Sequence, residues 1–315
     1  MNTYCILGNC QANAIASTLQ VCAAFREQYA FQKIKPIHRI SAEDHRHFLS
    51  EILPAAALFM YQPISENYRG GGFGFAEAIK HLDSKTKVIS YPSIQFYGYH
   101  AAAKTPADLP MDIRERCRAV FGLAGVELFH YAQVMMAYLK GMPQDEALNA
   151  FHEGFEGDED FARRRCAESL GHLRKSEIAH DIDIRLHDVI AEGFRREQLF
   201  WSPRHPSGKI LGLIAEHALA KLGITPTEEE RARFVRRDPL KLPQYPLQAF
   251  VRKALALEFD PVTDFRAREV VMTTPELIAA YYSVYDQLGR AAVSAMMTAL
   301  FPTLPSWRAM SEEIV

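Results

Sequence analysis

Short apolar runs alternate with helix-patterned stretches through roughly the first 100 residues, and that alternation narrows the fold more than any other feature of the chain. Residues 3–7 and Ala55–Tyr61 are apolar runs bounded by turn signals, and Lys33–Ile40 and Thr86–Ser90 are two further strand candidates. Runs of this kind suit strands buried on both faces, as in a parallel sheet. Between them lie Ala12–Tyr29, with Ile15, Leu19, Cys22 and Ala23 on one helical face, and Ala42–Leu53, closed by Pro54.

Beyond that point the pattern turns helical. Asp112–Phe121, Glu127–Lys140, Gln144–Phe155, Glu159–Ser169 and Leu173–Glu192 read as helices, and Gln198–Trp201 reads as a last strand of the sheet. Gly208–Leu222 is an amphipathic helix followed by Gly223, a good C-cap residue. A further helix starts at Thr225–Glu230, Pro239, Pro243 and Pro246 mark an extended connector, and two or three helices finish the chain. The fold expected is α/β, with a mainly parallel sheet in the N-terminal part, extensive helical insertions and a helical C-terminal region. The expected division is a core over 1–225, with the helical insertion at about 105–195, and a helical region over 226–315 packed on it.

Of the 315 residues, 48% are hydrophobic and 23% charged, and the formal net charge is -2, so nothing suggests a nucleic-acid or anionic-membrane partner. The five cysteines form no Cys-x-x-Cys pair, which argues against a disulfide framework or a zinc site, so no metal is expected. No apolar stretch approaches the roughly 18 residues of a transmembrane helix, and the N-terminus lacks the pattern of a signal peptide. A reducing, cytoplasmic setting is the expectation.

Four segments carry candidate chemistry. Gly8-Asn9-Cys10-Gln11 follows the first strand and opens a helix, whose free N–H groups and positive end face the turn. Such a field lowers a thiol pKa and holds anions, so Cys10 is a candidate nucleophile titrating below an ordinary thiol. The alternative is a small packing residue beside a turn-forming Asn9. His205, in Trp201-Ser202-Pro203-Arg204-His205-Pro206-Ser207, follows a strand candidate and precedes a helix, where a general base is well placed. A surface-loop histidine is the plain alternative. Tyr91 through His100 gathers Tyr91, Ser93, Gln95, Tyr99 and His100 into a pocket wall, or else into a loop packed on the core. Gln62 sits at the carboxyl end of its strand, where α/β folds place ligand contacts, and its amide is a candidate oxyanion donor. The glycine run after Arg69 lacks the Lys-Ser/Thr ending of a nucleotide triphosphate loop; Arg69 alone is kept there for anion binding.

Taken together, Leu7-Gly8-Asn9-Cys10-Gln11, Tyr61-Gln62-Pro63, Tyr91-Pro92 with Gly98-Tyr99-His100, and the block from Arg174-Lys175-Ser176-Glu177 through Leu199-Phe200 to His205-Pro206 resemble the WcbI family of bacterial polysaccharide biosynthesis proteins. The resemblance covers about the first 220 residues and implies an acetyltransferase that binds coenzyme A. The same order is similar to that of SGNH hydrolases, with Asn9 and Cys10 in the places of the first-block aspartate and serine. There Ser202 stands where the late block has its aspartate.

The resemblance implies transfer of an acetyl or related acyl group from coenzyme A or acetyl-coenzyme A, as co-substrate, to a sugar or glycan hydroxyl. Cys10 and His205 are then the catalytic pair, and Asn9, Gln11 and Gln62 the oxyanion group. Gly8, Arg69, Tyr91, Tyr99, His100 and Lys209 are ligand-binding candidates. A glycan esterase on the same site and a non-catalytic nucleotide- or glycan-binding protein are the rival readings. Oligomeric state is left open.

Overall fold

The structure is a computed structural model, and it describes residues 1–105, 109, 111, 115, 129–267 and 269–314. The expected helix Asp112–Phe121, apart from Glu115, the start of Glu127–Lys140 and Cys117 lie outside the described residues.

The architecture is mixed α/β, with a four-stranded parallel sheet at the N-terminus and many helices, in accord with the sequence pattern. The strands are β1 (Asn2–Leu7), β2 (Tyr29–Phe31), β3 (Ala56–Tyr61) and β4 (Lys87–Ser90), in the order β2-β1-β3-β4 and all parallel. From β1 the chain adds β2 on one side and then crosses to add β3 on the other. That makes the carboxyl ends of β1 and β3 the crevice where open parallel sheets bind ligands. The register sharpens this placement. Leu7 pairs with Tyr61, and Tyr61 with Ser90, so Gly8, Gln62 and Tyr91 come next in one row. Backbone bonds carry the ladder into that row: Gln62 N–H donates to Leu7 at 2.9 Å and Tyr91 N–H to Tyr61 at 3.0 Å.

Contacts divide the chain into two compact units. The first comprises residues 1–95, 170–193 and 204–241; the second comprises 96–169, 194–203 and 242–315. In the first unit Leu58, Phe59 and Met60 of β3 are fully buried, and so are Tyr4 and Cys5 of β1, which explains why these runs are apolar on both faces. In the second unit, helices Ala132–Lys140, Gln144–Glu153, Thr274–Leu288 and Arg290–Leu300 pack together. Buried Asp158 there accepts from Gln133 at 2.7 Å, from Ser306 at 2.7 Å and from the Phe155 N–H at 2.9 Å. Among the described residues no helix is long and apolar enough to cross a membrane.

Four expectations need correction. The helices expected over Glu159–Ser169 and Leu173–Glu192 are Asp158–Ala179 and His187–Gly193. The second strand is Tyr29–Phe31, not Lys33–Ile40. Pro36 has no N–H to offer a ladder, and the Ile37 N–H donates to the Gly8 carbonyl at 2.9 Å instead, while Ile34, Ile37 and Ile40 are buried in the core. The helix expected over Ala12–Tyr29 is two, Cys10–Leu19 (α1) and Ala23–Gln28, because the chain must turn to bring Tyr29 back beside Asn2. The strand expected at Gln198–Trp201 is Phe200–Ser202 and lies outside the parallel sheet. The outer edge of β4 is occupied otherwise. The Ile184 N–H donates to the Ser90 carbonyl at 3.1 Å, and the Asp183 carboxylate accepts both the Ser90 N–H and its hydroxyl at 2.9 Å. These bonds close a sheet edge without another strand.

Phe59 fills the middle of the sheet and contacts the rings of Phe48 and Tyr61. Replacing Phe59 with Ala is expected to cost about 3–5 kcal/mol, through lost burial and the cavity left behind. Urea denaturation of the two proteins checks it.

Candidate functional site at the carboxyl end of the sheet

β1 ends at Leu7 and α1 starts at Cys10, so two residues make the whole turn. Asn9 is the N-cap: its backbone is extended, and its side-chain oxygen accepts the Gln11 N–H at 2.8 Å. Gln62 comes in from the end of β3. Its Oε1 accepts the Asn9 N–H at 2.9 Å, and its Nε2 donates to Gln11 Oε1 at 2.9 Å and to the Pro92 carbonyl at 3.4 Å. Gln11 Nε2 then donates to the Ile94 carbonyl at 2.7 Å and to the Arg204 carbonyl at 3.0 Å. Both glutamines are buried, and leaving a buried amide unpaired costs about 1–3 kcal/mol per group. The pair therefore fixes the turn, and it ties the residue after Cys10 to the residue before His205.

Gly8 is required for close approach. A Cβ there would stand 2.6 Å from the Tyr91 hydroxyl and 2.7 Å from Gln62 Oε1. Both of those side chains are buried, so neither can swing away.

Cys10 is half-buried, whereas Cys5, Cys22 and Cys166 are buried, and all four are free thiols. Burial pushes the Cys10 thiol above its ordinary value; its own N–H, Arg204, Arg39 and the Gln11 N–H oppose that shift without cancelling it. The expectation of a thiol below the ordinary range is thus reversed. The helix terminus does act on the sulfur, but desolvation is the larger effect. In Cys5, with burial alone, the thiol is pushed up to about 12, and in Cys166 to about 11. His205 is held below its usual range by burial and then by Arg204, so it is a neutral imidazole at neutral pH, and its Nδ1 has no hydrogen-bond partner among the described residues. His205 lies just ahead of the Gly208–Lys221 helix, which packs against α1. Ser207 is the N-cap of that helix, and its buried hydroxyl also lacks a partner among the described residues.

The structure thus gathers Gly8, Asn9, Cys10, Gln11, Gln62 and Tyr91 into one strand-end cluster, with the segment holding His205 bonded to it. The amide donors of Gln11 and Gln62 are committed to holding the turn. Asn9 Nδ2 has a long 3.4 Å bond to Ser93 Oγ. Lys209 is half-buried in the first turn of its helix. Arg69 donates to the Ile40 carbonyl at 2.7 Å and lies over the Phe73 ring, so it staples a loop. Tyr99 and His100 belong to the second unit. The Tyr99 hydroxyl donates to the Phe194 and Glu197 carbonyls, and burial holds His100 down to about 4. Arg39 escaped the sequence reading. Its charge acts on Cys10 because its loop is bonded to the Gly8 carbonyl through Ile37, a long-range contact with no local signature.

The family model of the polysaccharide biosynthesis enzyme WcbI matches residues 3–227. None of the curated proteins matches the chain. A solved structure of WcbI, described as a novel polysaccharide biosynthesis enzyme in its native form without a disulfide bond between coenzyme A and one of its cysteines, is 21% identical. It covers 98% of this chain and 97% of its own, with a TM-score of 0.80, a likeness of fold.

Three outcomes follow from this geometry. Replacing Gly8 with Ala is expected to cost about 1–3 kcal/mol through overpacking, read as a lower urea midpoint. In the ligand-free protein the rate of Cys10 alkylation by iodoacetamide is expected to rise with pH around a midpoint above the free-thiol value of about 8.5. Replacing Arg204 with Ala should move that midpoint further up, since a cation favouring the thiolate is removed.

Proposed function

The chain belongs to the WcbI family of polysaccharide biosynthesis enzymes, and on that premise we propose that it moves an acetyl or related acyl group from a coenzyme A thioester to a sugar hydroxyl. The observation that carries this reading is the half-buried Cys10 thiol at the start of α1, held by committed amides and linked through Gln11 to the segment bearing a half-buried, neutral His205.

The residues present fit such a donor. Cys10 offers a partly accessible sulfur, and exposed Arg39 and Arg204 set positive charge beside it for an anionic ligand. The thiol is protonated in the resting protein, and His205 is free of charge to accept its proton. The Cys10 sulfur then attacks the thioester carbonyl, the acyl group passes to Cys10, and His205 returns the proton to the departing coenzyme A sulfur. One thioester replaces another, so this step is close to balanced. In the second half, His205 takes the proton of the sugar hydroxyl as that oxygen attacks the acyl-Cys10 carbonyl, and gives it back to the Cys10 sulfur. The chemistry needs Cys10 reduced, which suits a cytoplasmic setting.

The test is turnover of acetyl-coenzyme A with a panel of nucleotide sugars, read by released coenzyme A and by the mass of the sugar. The unsubstituted protein should acetylate an acceptor. Cys10→Ala should abolish turnover, and His205→Ala should lower it by about 100-fold or more. Full activity in the Cys10→Ala protein would overturn the reading, and free acetate in place of an acetylated sugar would turn it to an esterase. Coenzyme A at 100 times its Kd should stabilise the protein by about 2.7 kcal/mol, seen as a concentration-dependent rise in melting temperature.

A further inference from the structure

Tyr91 stands in the row with Gly8 and Gln62, one residue past β4. Its side chain is fully buried, and its hydroxyl has no hydrogen-bond partner among the described residues. The hydroxyl is aimed at the turn: it would be 2.6 Å from a Cβ on Gly8, and it is close enough to Cys10 for charge on that sulfur to act on it.

The groups around it in the turn are paired, which makes its own lack of a partner informative. The Asn9 N–H, the Gln11 N–H and both glutamine amides are paired with one another or with carbonyls. Beside glutamine amides that are all paired, a buried hydroxyl left over is a cost that phenylalanine would avoid. A donor fixed in place, shielded from water and without an acceptor in the resting state is what stabilises charge that develops only during a reaction.

We propose that the Tyr91 hydroxyl is a catalytic hydrogen-bond donor to the oxyanion formed when the Cys10 sulfur attacks the thioester carbonyl. This rests on the acyl-transfer reading above and gives Tyr91 the role that Gln11 and Gln62 cannot fill. As the Cys10 sulfur–carbon bond forms, the carbonyl π pair moves onto oxygen, and the Tyr91 O–H donates to that oxygen without giving up its proton. The pair returns as the bond to the coenzyme A sulfur breaks, and His205 supplies that sulfur with the proton taken from Cys10. Burial holds the Tyr91 hydroxyl well above its ordinary range, so it stays a donor throughout.

The experiment compares the unsubstituted protein with Tyr91→Phe in two reactions of Cys10, both followed by intact mass. One is acylation by acetyl-coenzyme A, which passes through an oxyanion; the other is alkylation by iodoacetamide, a displacement that builds none. Tyr91→Phe should slow acylation about 100-fold or more, leave alkylation within about twofold and leave the melting temperature no lower. Equal acylation in both proteins would overturn the proposal alone. Slowing of both reactions would overturn it in favour of a role in ionising the thiol, and a Tyr91→Phe protein that fails to fold would overturn it in favour of a structural hydroxyl. Absence of Cys10 acylation in the unsubstituted protein would sink the acyl-transfer reading itself, and the proposal with it.

Discussion

The paired amides of Gln11 and Gln62 are the interaction on which the site depends. Two buried side chains from different segments exchange a 2.9 Å bond, and each then spends its remaining groups on the backbone around it. Gln62 holds the Asn9 N–H, and Gln11 holds the carbonyls of Ile94 and Arg204. The ends of β1, β3 and β4 and the approach to the Gly208–Lys221 helix are thereby locked together within the first unit. Loss of either glutamine would leave several buried partners unpaired at once, which is why such networks are satisfied completely or not tolerated.

That lock determines the electrostatics of Cys10. The same packing that fixes the turn withdraws the sulfur from water and raises its pKa, and the helix terminus and two arginines only offset this. A resting thiol avoids placing an unpaired thiolate in a poorly solvated site. In the proposed reaction, ionisation is coupled to attack, when a developing charge has donors to meet it. Burial of His205 and burial of Cys10 act in the same direction, since each favours the uncharged form of its group.

The sheet was legible because strands buried on both faces must be apolar throughout, and residues 3–7 and Ala55–Tyr61 are. The turn was legible for a related reason: glycine, an N-capping asparagine and a strand-to-helix transition are local signals. Lys33–Ile40 misled because its isoleucines do face the core, but from a loop whose N–H serves Gly8 instead of a ladder. The commitment of the two glutamines was illegible, because their partners lie 51 residues apart in sequence. The placement of Arg39 and the orphaned Tyr91 hydroxyl were hidden for the same reason. Tyr99 and His100 looked like a pocket wall from their aromatic company, yet Tyr99 anchors two carbonyls in the second unit.

A crystal structure of the protein with coenzyme A bound tests the central claim most directly. The account predicts the coenzyme A sulfur in contact with Cys10 Sγ, within about 4 Å, with the Gln11–Gln62 bond intact beneath it. A ligand whose sulfur end lies away from the Gly8–Gln11 turn, leaving Cys10 facing none of it, would contradict the account.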